Sequence, residues 1–120
     1  MDVKFYKDKT TKEVSMSLTN KFDDNLLLLK ANSTDAATEK HVPCVTMKGN
    51  TIHVVIGSTV HPMTAEHHIE FIVLVTDKKA ILTRLDPTEK PETDFIVDPT
   101  DRPVAVYEYC NLHGLWVKEF

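Results

Sequence analysis

Residues 51–58 read TIHVVIGS, and this stretch decides the fold. Ile52, Val54 and Ile56 alternate with other residues, which is the period-two pattern of a strand that buries one face. Gly57 then ends the run as a turn residue. Apolar alternation recurs between turn and proline residues in four later stretches, 69–75, 80–85, 93–97 and 104–109. Short strands at this spacing predict an all-β fold of the β-sandwich type.

Residues 1–36 follow a different pattern. Two strand-like stretches, 3–6 and 13–18, precede an acidic turn at 23–25 and an apolar stretch at 26–29. The small and polar residues 31–38 are typical of a linker. The sequence therefore predicts a small hairpin-rich module at 1–36, followed by a main domain at 37–120.

Charge and hydropathy exclude several classes of protein. The 120 residues hold 14 Lys and Arg against 18 Asp and Glu, a formal net charge of -4. A nucleic-acid footprint needs clustered cations, so we expect no nucleic-acid partner. The longest apolar run, 71–75, is far shorter than the roughly 20 residues of a membrane span. Charged residues alternate at 2–9 where a signal peptide would be apolar, so we expect a cytoplasmic protein without membrane contact.

The chain has two cysteines, Cys44 and Cys110. Cytoplasmic thiols are kept reduced, so the two residues are interpreted as free thiols or metal ligands rather than as a disulfide. Cys110 and His113 are separated by two residues after an apolar stretch, and Gly114 permits a turn there. This spacing suits binding of one ion by both side chains.

The six histidines are unevenly placed, and several are next to Pro or Gly. The segment 61–68 holds His61, His67 and His68 beside Pro62, so one loop is able to supply two metal ligands. His53 lies on the polar face of its strand and is interpreted as a surface residue. Each motif alone is weak, because a single histidine is more often a surface residue than a ligand.

Three separated motifs give the chain a resemblance to a known family. They are EKHVP at 39–43, GS at 57–58 leading to HPM at 61–63 and His67, and YCNLHGLW at 109–116. In order and spacing they resemble the superoxide reductases of the desulfoferrodoxin and neelaredoxin group, over about residues 33–117. The resemblance implies an immunoglobulin-like β-sandwich, in agreement with the strand pattern.

The resemblance also implies a site and an activity. The site would be one mononuclear non-haem iron per chain, and the reaction a one-electron reduction of superoxide to hydrogen peroxide. Glu39 corresponds to a carboxylate that occupies the open sixth position of the oxidised iron, and Lys40 to a cation on the loop beside it. The implied ligands are four equatorial histidines and one axial thiolate: His41, His61, His67, His113 and Cys110.

The chemistry of these side chains agrees with iron. Zinc usually takes four tetrahedral ligands, whereas four imidazoles and one thiolate with an open face suit a redox iron. Neutral imidazoles and one thiolate leave a ferrous centre with a formal charge of +1, which attracts superoxide to an otherwise acidic protein. Lys40 would strengthen that local field.

The N-terminal module departs from the family, whose members can carry four iron-binding cysteines there. The aligned positions hold Asp8, Thr11, Lys21 and Phe22, none of which offers a thiolate. We therefore expect a vestigial, metal-free desulforedoxin-like module that is stabilised by packing on the main domain or on a second copy, and so a homodimer. With one redox centre, the chain would need a separate rubredoxin-like electron donor.

Other residues and other functions stay open at this point. Cys44 is interpreted as a buried free thiol, with an oxidisable thiol near peroxide as the alternative. Met63 and Trp116 are interpreted as packing residues around the site. His68 is interpreted as a surface or supporting residue. A non-enzymatic β-sandwich binding module with structural histidines or zinc is the alternative to an enzyme. Dismutase-like cycling of the same iron is a third hypothesis, which ligation by Glu39 would oppose.

Overall fold

The computed structural model describes residues 2–59 and 61–120 and consists mainly of antiparallel strands. Its elements in chain order are β1 (Lys4–Asp8), β2 (Val14–Ser17), β3 (Leu26–Leu28), α1 (Thr38–His41), β4 (Pro43–Lys48), β5 (Thr51–Ile56), β6 (Ile69–Thr76), β7 (Ala80–Arg84), β8 (Glu92–Ile96), β9 (Pro103–Cys110) and β10 (Gly114–Glu119). None of the described helical residues forms a helix long and apolar enough to cross a membrane.

Two sheets form the predicted β-sandwich. One has the strand order β10-β9-β6-β7 and the other β4-β5-β8. The alternating residues Ile52, Val54 and Ile56 are fully buried and pack against Ile72 and Leu74 of the opposite sheet. The all-β prediction is thus confirmed, and β5 has the predicted bounds.

Strand β6 explains the longest apolar run of the sequence, because both of its faces are buried. Ile72 and Leu74 face the interior of the sandwich, whereas Phe71 and Val73 belong to a second apolar cluster on the outer face of the same sheet. A strand that is buried on both faces loses the polar alternation that marks the other strands.

The N-terminal module is a three-stranded sheet of order β2-β1-β3, and it covers that second cluster. Phe5 of β1 is 1% exposed and stacks on Phe71, with 5.9 Å between ring centroids. Packing on the main domain therefore supplies the apolar burial that so short a sheet lacks by itself.

The segment predicted to be a linker, 31–38, is tied to the main domain. Asn32 accepts a hydrogen bond from the backbone N–H of Val117 (2.9 Å) and donates one from its side-chain amide to the carbonyl of the same residue (3.3 Å). The segment also ends inside α1. A small, polar composition here marks a fixed connection along β10 and not a flexible spacer.

Two strands and the short helix were not predicted. Strand β4 places Cys44, Thr46 and Lys48 outward, and Met47 is 57% exposed, so its apolar alternation is weak. Strand β10 begins at Gly114, which was interpreted only as a turn residue. Pairing with β5 and β9 overrides these weak local patterns.

Strand ends converge at one end of the sandwich. Pro43 at the start of β4 pairs with Ile56 at the end of β5, and Ile69 at the start of β6 pairs with Cys110 at the end of β9. The pairing of β6 with β9 shifts between Ile69 and Phe71, which is an irregularity of the β-bulge type. The connections at this end carry the chemistry-bearing side chains.

Candidate metal centre

Three connections supply the five donors named by the sequence analysis. His41 is the last residue of α1, directly before β4. The chain between β5 and β6 carries His61 and His67, and Cys110 and His113 come from the turn between β9 and β10. Gly114 follows that turn with a φ of 82°, so a residue with left-handed backbone closes the hairpin directly after His113.

The four imidazole rings lie at the corners of a rough square. Neighbouring ring centroids are 4.8 Å apart for His41 and His61, 4.6 Å for His61 and His67, 5.0 Å for His67 and His113, and 4.9 Å for His113 and His41. The diagonal from His41 to His67 is longer, at 6.4 Å. The ligand atoms of His41, His61 and His67 all lie within 4.8 Å of one another, which is close enough for contact with one ion.

Buried ring nitrogens in this square have no hydrogen-bond partner among the described residues. They are Nδ1 of His41 and Nε2 of both His61 and His67. The other nitrogen of His61, Nδ1, donates a hydrogen bond to the carbonyl of Pro62 at 2.7 Å, which leaves the lone pair of Nε2 free. Buried polar atoms without a partner are costly, so their convergence fits a metal ion as the missing partner.

Burial keeps these imidazoles neutral. It is the largest cause that lowers the pKa of His41 and of His61 to about 4, and the neighbouring imidazoles lower both values further. The pKa of His67 is also lowered, again mainly by burial. Neutral imidazoles present lone pairs at neutral pH, which is the form that binds a metal.

Cys110 adds a thiol to the same site. Its ligand atom lies with those of His41 and His113 inside one group whose atoms are all within 4.8 Å of one another. Its Sγ is 3.9 Å from Nδ1 of His113. Burial raises the pKa of this thiol, and the backbone N–H groups of His113 and Leu112 lower it in part. A bound cation would deprotonate the thiol outright, and the two backbone donors would then stabilise the thiolate.

Trp116 and Met63 pack around the site, as expected. The indole of Trp116 stacks on His41 with ring centroids 5.0 Å apart and 13° between the planes, and its Nε1 donates to the carbonyl of His113 at 3.0 Å. The sulfur of Met63 accepts the backbone N–H of Ile69. The two apolar side chains thereby limit the freedom of the rings and of the first residue of β6.

Asn111 is a supporting residue that the sequence analysis missed. Its Oδ1 accepts the backbone N–H of His68 at 2.9 Å, and its Nδ2 donates to the carbonyl of Glu66 at 2.9 Å. One amide thus holds both neighbours of His67 to the residue that follows Cys110. These partners lie more than 40 residues away in sequence, so no local pattern reveals them.

Glu39 and Lys40 lie beside the square, on α1. Both are exposed, and the backbone carbonyl of Glu39 accepts the N–H of Thr59 at 3.0 Å. Gly57 makes this contact possible, because its φ is 81° and a Cβ there would come within 2.8 Å of the carbonyl oxygens of Glu39 and Lys40. The turn after β5 therefore holds the segment that carries both side chains.

Glu108 is a second unexpected residue. It is fully buried, and neither of its carboxylate oxygens has a partner among the described residues. Along β9 it lies on the same face as Val106 and Cys110, both of which belong to the interior cluster. Burial raises its pKa well above the ordinary value, so the interior holds a neutral carboxyl group.

The structure also shows the positions of His53, His68 and Cys44. His53 lies outside the site, on the outer face of β5, and interacts with Asp94. His68 contacts the site loop, since its Nδ1 donates to the carbonyl of Thr64 at 2.9 Å. The interpretation of Cys44 as a buried thiol was wrong: the residue is exposed, because its position on β4 alternates with the inward Pro43 and Val45.

The fold and the site together define a class: a β-sandwich protein whose imidazole and thiol side chains are positioned to bind a metal ion. The family model described as Desulfoferrodoxin matches residues 33–119. The chain is 50% identical over 88 residues to the desulfoferrodoxin of Clostridium acetobutylicum, covering 72% of this chain and 66% of that protein. It is 46% identical over 92 residues to the desulfoferrodoxin of Syntrophotalea carbinolica, covering 77% and 71%. The chain belongs to the desulfoferrodoxin family.

A solved structure resembles the whole chain. The superoxide reductase from Treponema pallidum superposes with a TM-score of 0.84 at 31% identity, covering 99% of this chain and 100% of that one. The one-iron superoxide reductase from Giardia intestinalis gives a TM-score of 0.58 at 29% identity, covering 68% of this chain and 97% of that one. The described N-terminal sheet thus falls within the first match, whereas the second covers about two thirds of the chain.

Proposed function

We propose that this protein is a superoxide reductase, an oxidoreductase that reduces superoxide to hydrogen peroxide with one iron per chain. The observation that carries the proposal is the square of four imidazoles, with His41 and His61 buried and His67 and His113 partly buried, and with the Cys110 thiol beside it. If held there, a ferrous ion would supply the one electron that, together with two protons, converts superoxide to hydrogen peroxide, and the ion would be left ferric. Named relatives from Pyrococcus abyssi and Thermococcus kodakarensis are superoxide reductases, each 31% identical to this chain over 105 residues.

The ligands of this proposal are those predicted from the sequence. His41, His61, His67 and His113 would hold the iron by imidazole nitrogens, and Cys110 would hold it by its thiolate. The Cys110 thiolate would donate electron density to that iron, as a cysteine thiolate does in haem enzymes. Buried surroundings keep water away from the thiolate and preserve its basicity.

Lys40 would act as a cation at the mouth of the site. Lys40 is exposed and shares a surface groove with His61, and its charge is a minor cause, after burial, of the lowered pKa of His41, His61 and His67. A cation in that place attracts an anionic substrate. Glu39, on the same exposed turn, would supply the carboxylate that closes the open position of the oxidised iron.

Replacing Lys40 by Ala tests this role. The second-order rate constant for superoxide should fall about tenfold at low ionic strength, because the local field at the mouth is lost. Iron content should stay at one per chain. Pulse radiolysis of the reduced protein measures the rate, and an unchanged rate constant would remove Lys40 from the mechanism.

Metal analysis tests the site itself. Protein loaded without oxygen should hold one iron per chain, and ferricyanide oxidation should give the visible charge-transfer band of a thiolate-ligated ferric ion. A second, rubredoxin-like absorbance should be missing, since Asp8, Thr11, Lys21 and Phe22 offer no sulfur ligand. Zinc in place of iron after such loading would favour the non-enzymatic binding module.

We further propose a division of the chain into a metal-free module at 1–36 and an iron-binding domain at 37–120. The separate three-stranded sheet of β1 to β3 supports it. Exposed apolar side chains on this module, Phe22 at 96% and Leu28 at 54%, support a homodimer in which a second copy covers them. Sedimentation that shows only monomer across the micromolar range would contradict the dimer.

The remaining elements of the proposal concern the donor and the location. A rubredoxin-like carrier would return the electron after each turnover, through a small and transient contact. The two cysteines are free thiols, as is usual in the reducing cytoplasm, which supports a cytoplasmic location. Reduction of the oxidised protein by purified rubredoxin under anaerobic conditions tests the donor.

A further inference from the structure

An open groove of about 550 Å³ runs away from the metal centre. Lys40 and His61 line one part of it, and Thr88, Glu89 and Lys90, from the connection between β7 and β8, also line it. A buried ligand of the square and two lysines therefore share one surface depression. The sequence of the connection 86–91, with Pro87 and Pro91, indicates only a loop.

The groove holds Lys90 on an ordered turn. Asp86 accepts hydrogen bonds from the backbone N–H and the hydroxyl of Thr88, at 2.9 and 2.8 Å. The carbonyl of Lys90 accepts the N–H of Glu92, and the carbonyl of Pro91 accepts the N–H of Ile56 at the end of β5. The backbone of Lys90 is thus fixed relative to β5, whose end precedes the turn that holds Lys40.

The charges along the groove are predominantly positive. Two lysines face one glutamate, and the carboxylate of Glu89 accepts the backbone N–H of Asp86 at 2.8 Å. Neither Lys40 nor Lys90 forms an ion pair among the described residues. The whole chain has a net charge of -4, so the groove differs from the rest of the chain in the sign of its charge. A positive cleft of this kind raises the local concentration of small anions.

We propose that Lys90 is a second guiding cation, which captures superoxide in this groove and passes it toward Lys40 and the metal centre. The inference rests on the proposed superoxide reductase activity. It makes Lys90 a residue that raises the encounter rate and has no contact with the iron.

Lys40 and Lys90 should therefore differ in what they affect. Lys40 directly precedes the donor His41 in α1, whereas Lys90 lies on the connection between β7 and β8, which supplies none of the five donors. A change at Lys90 should alter the rate for anions and its dependence on salt. It should leave the visible band and the iron content unchanged.

The test uses the iron-loaded protein with Lys90→Glu, Lys90→Gln and the control Lys48→Glu. Lys48 lies at the end of β4 that points away from the metal centre, so the control has the same net charge as Lys90→Glu without a change in the groove. The reduced proteins are mixed with superoxide, with the anion ferricyanide and with uncharged hydrogen peroxide, at about 10 mM and about 1 M salt, where the Debye lengths are about 30 and 3 Å.

Lys90→Glu should react about threefold more slowly with superoxide at low salt and be slowed further with the trivalent ferricyanide, with smaller effects for Lys90→Gln. The difference should vanish at high salt and should be missing for hydrogen peroxide. Equal rates for Lys90→Glu and Lys48→Glu, or a shifted visible band, would overturn the inference. If the unaltered iron protein fails to react with superoxide, the proposed function falls, while the ferricyanide comparison still reports on the groove.

Discussion

The N-terminal module and the end of the sandwich that carries the candidate metal centre differ in how their polar groups are paired. In the module, the carboxylate of Asp8 accepts hydrogen bonds from the N–H groups of Thr10 and Thr11 and from the amide of Asn25, at 2.8 to 2.9 Å. The loop after β1 is therefore closed by the chain's own groups. At the metal centre, buried nitrogens converge and stay unpaired among the described residues. The polar groups around Asp8 are paired within the chain, whereas the nitrogens at the metal centre require a bound ligand as their partner.

This contrast gives a physical reason to expect a metal at the sandwich end and none in the N-terminal sheet. Asp8 stands at a position where the family resemblance places a cysteine, and its carboxylate links the turn at 10–11 to Asn25. Among the described residues, the buried nitrogens of His41, His61 and His67 have no comparable partners. Replacements that remove a donor should therefore have large effects at the sandwich end and small, local effects in the module.

The largest effect should come from Cys110→Ser. A serine hydroxyl does not ionise as a thiol does, so the charge-transfer band should disappear and superoxide reduction should fall by at least about a thousandfold. Cys44→Ser is the matched control, since Cys44 is exposed on β4, and it should keep both properties. Full activity in Cys110→Ser would remove the thiolate from the site.

Acid should destabilise the metal-free protein through its buried imidazoles. The pKa of His41 and of His61 is about 4 in the folded chain against about 6.5 when unfolded. Between these values the unfolded chain binds protons that the folded chain excludes, so stability falls as pH drops from about 6.5 to about 4. The loss should amount to a few kcal/mol, on the order of one per pKa unit.

Urea unfolding of metal-free protein at pH 7 and pH 4.5 measures this loss. The variant His61→Gln should show a shallower dependence on pH, because one titrating group is gone. Equal stability of the unaltered protein at both pH values would contradict the buried, neutral state of the rings.

Asn111→Ala should loosen the loop that carries His67. Both hydrogen bonds from the amide to the neighbours of His67 would be lost, and supporting contacts of this kind change metal affinity by about tenfold or more. Competition with a chelator measures the release of iron. Asn20→Ala, in an exposed loop of the module, is the control. Equal release of iron from both variants would show that Asn111 does not support metal binding.

The smallest effect should come from Asp8→Ala. Three hydrogen bonds to one carboxylate oxygen would be lost, so the amide protons of Thr10 and Thr11 should exchange about tenfold faster. Asp8→Asn retains an acceptor and should show less change. Iron content should stay at one per chain in both; a loss of iron would show that the two regions are coupled.

Local patterns in the sequence predicted the strands that have one clean apolar face, such as β5, and left out β4, whose outward residues and exposed Met47 hide its alternation. The donors were predicted because they occur in short motifs of fixed spacing. Asn111, Glu108 and Lys90 were not assigned roles, since their surroundings depend on segments distant in the chain. The burial of Cys44 was predicted wrongly because the face of an unrecognised strand cannot be assigned.

The stoichiometry of a single superoxide pulse tests the central claim most directly. The reduced iron protein should yield one hydrogen peroxide and one ferric ion for each superoxide consumed, with no dioxygen released. Release of one dioxygen for every two superoxide ions, with the iron still ferrous afterwards, would show dismutation and contradict the account.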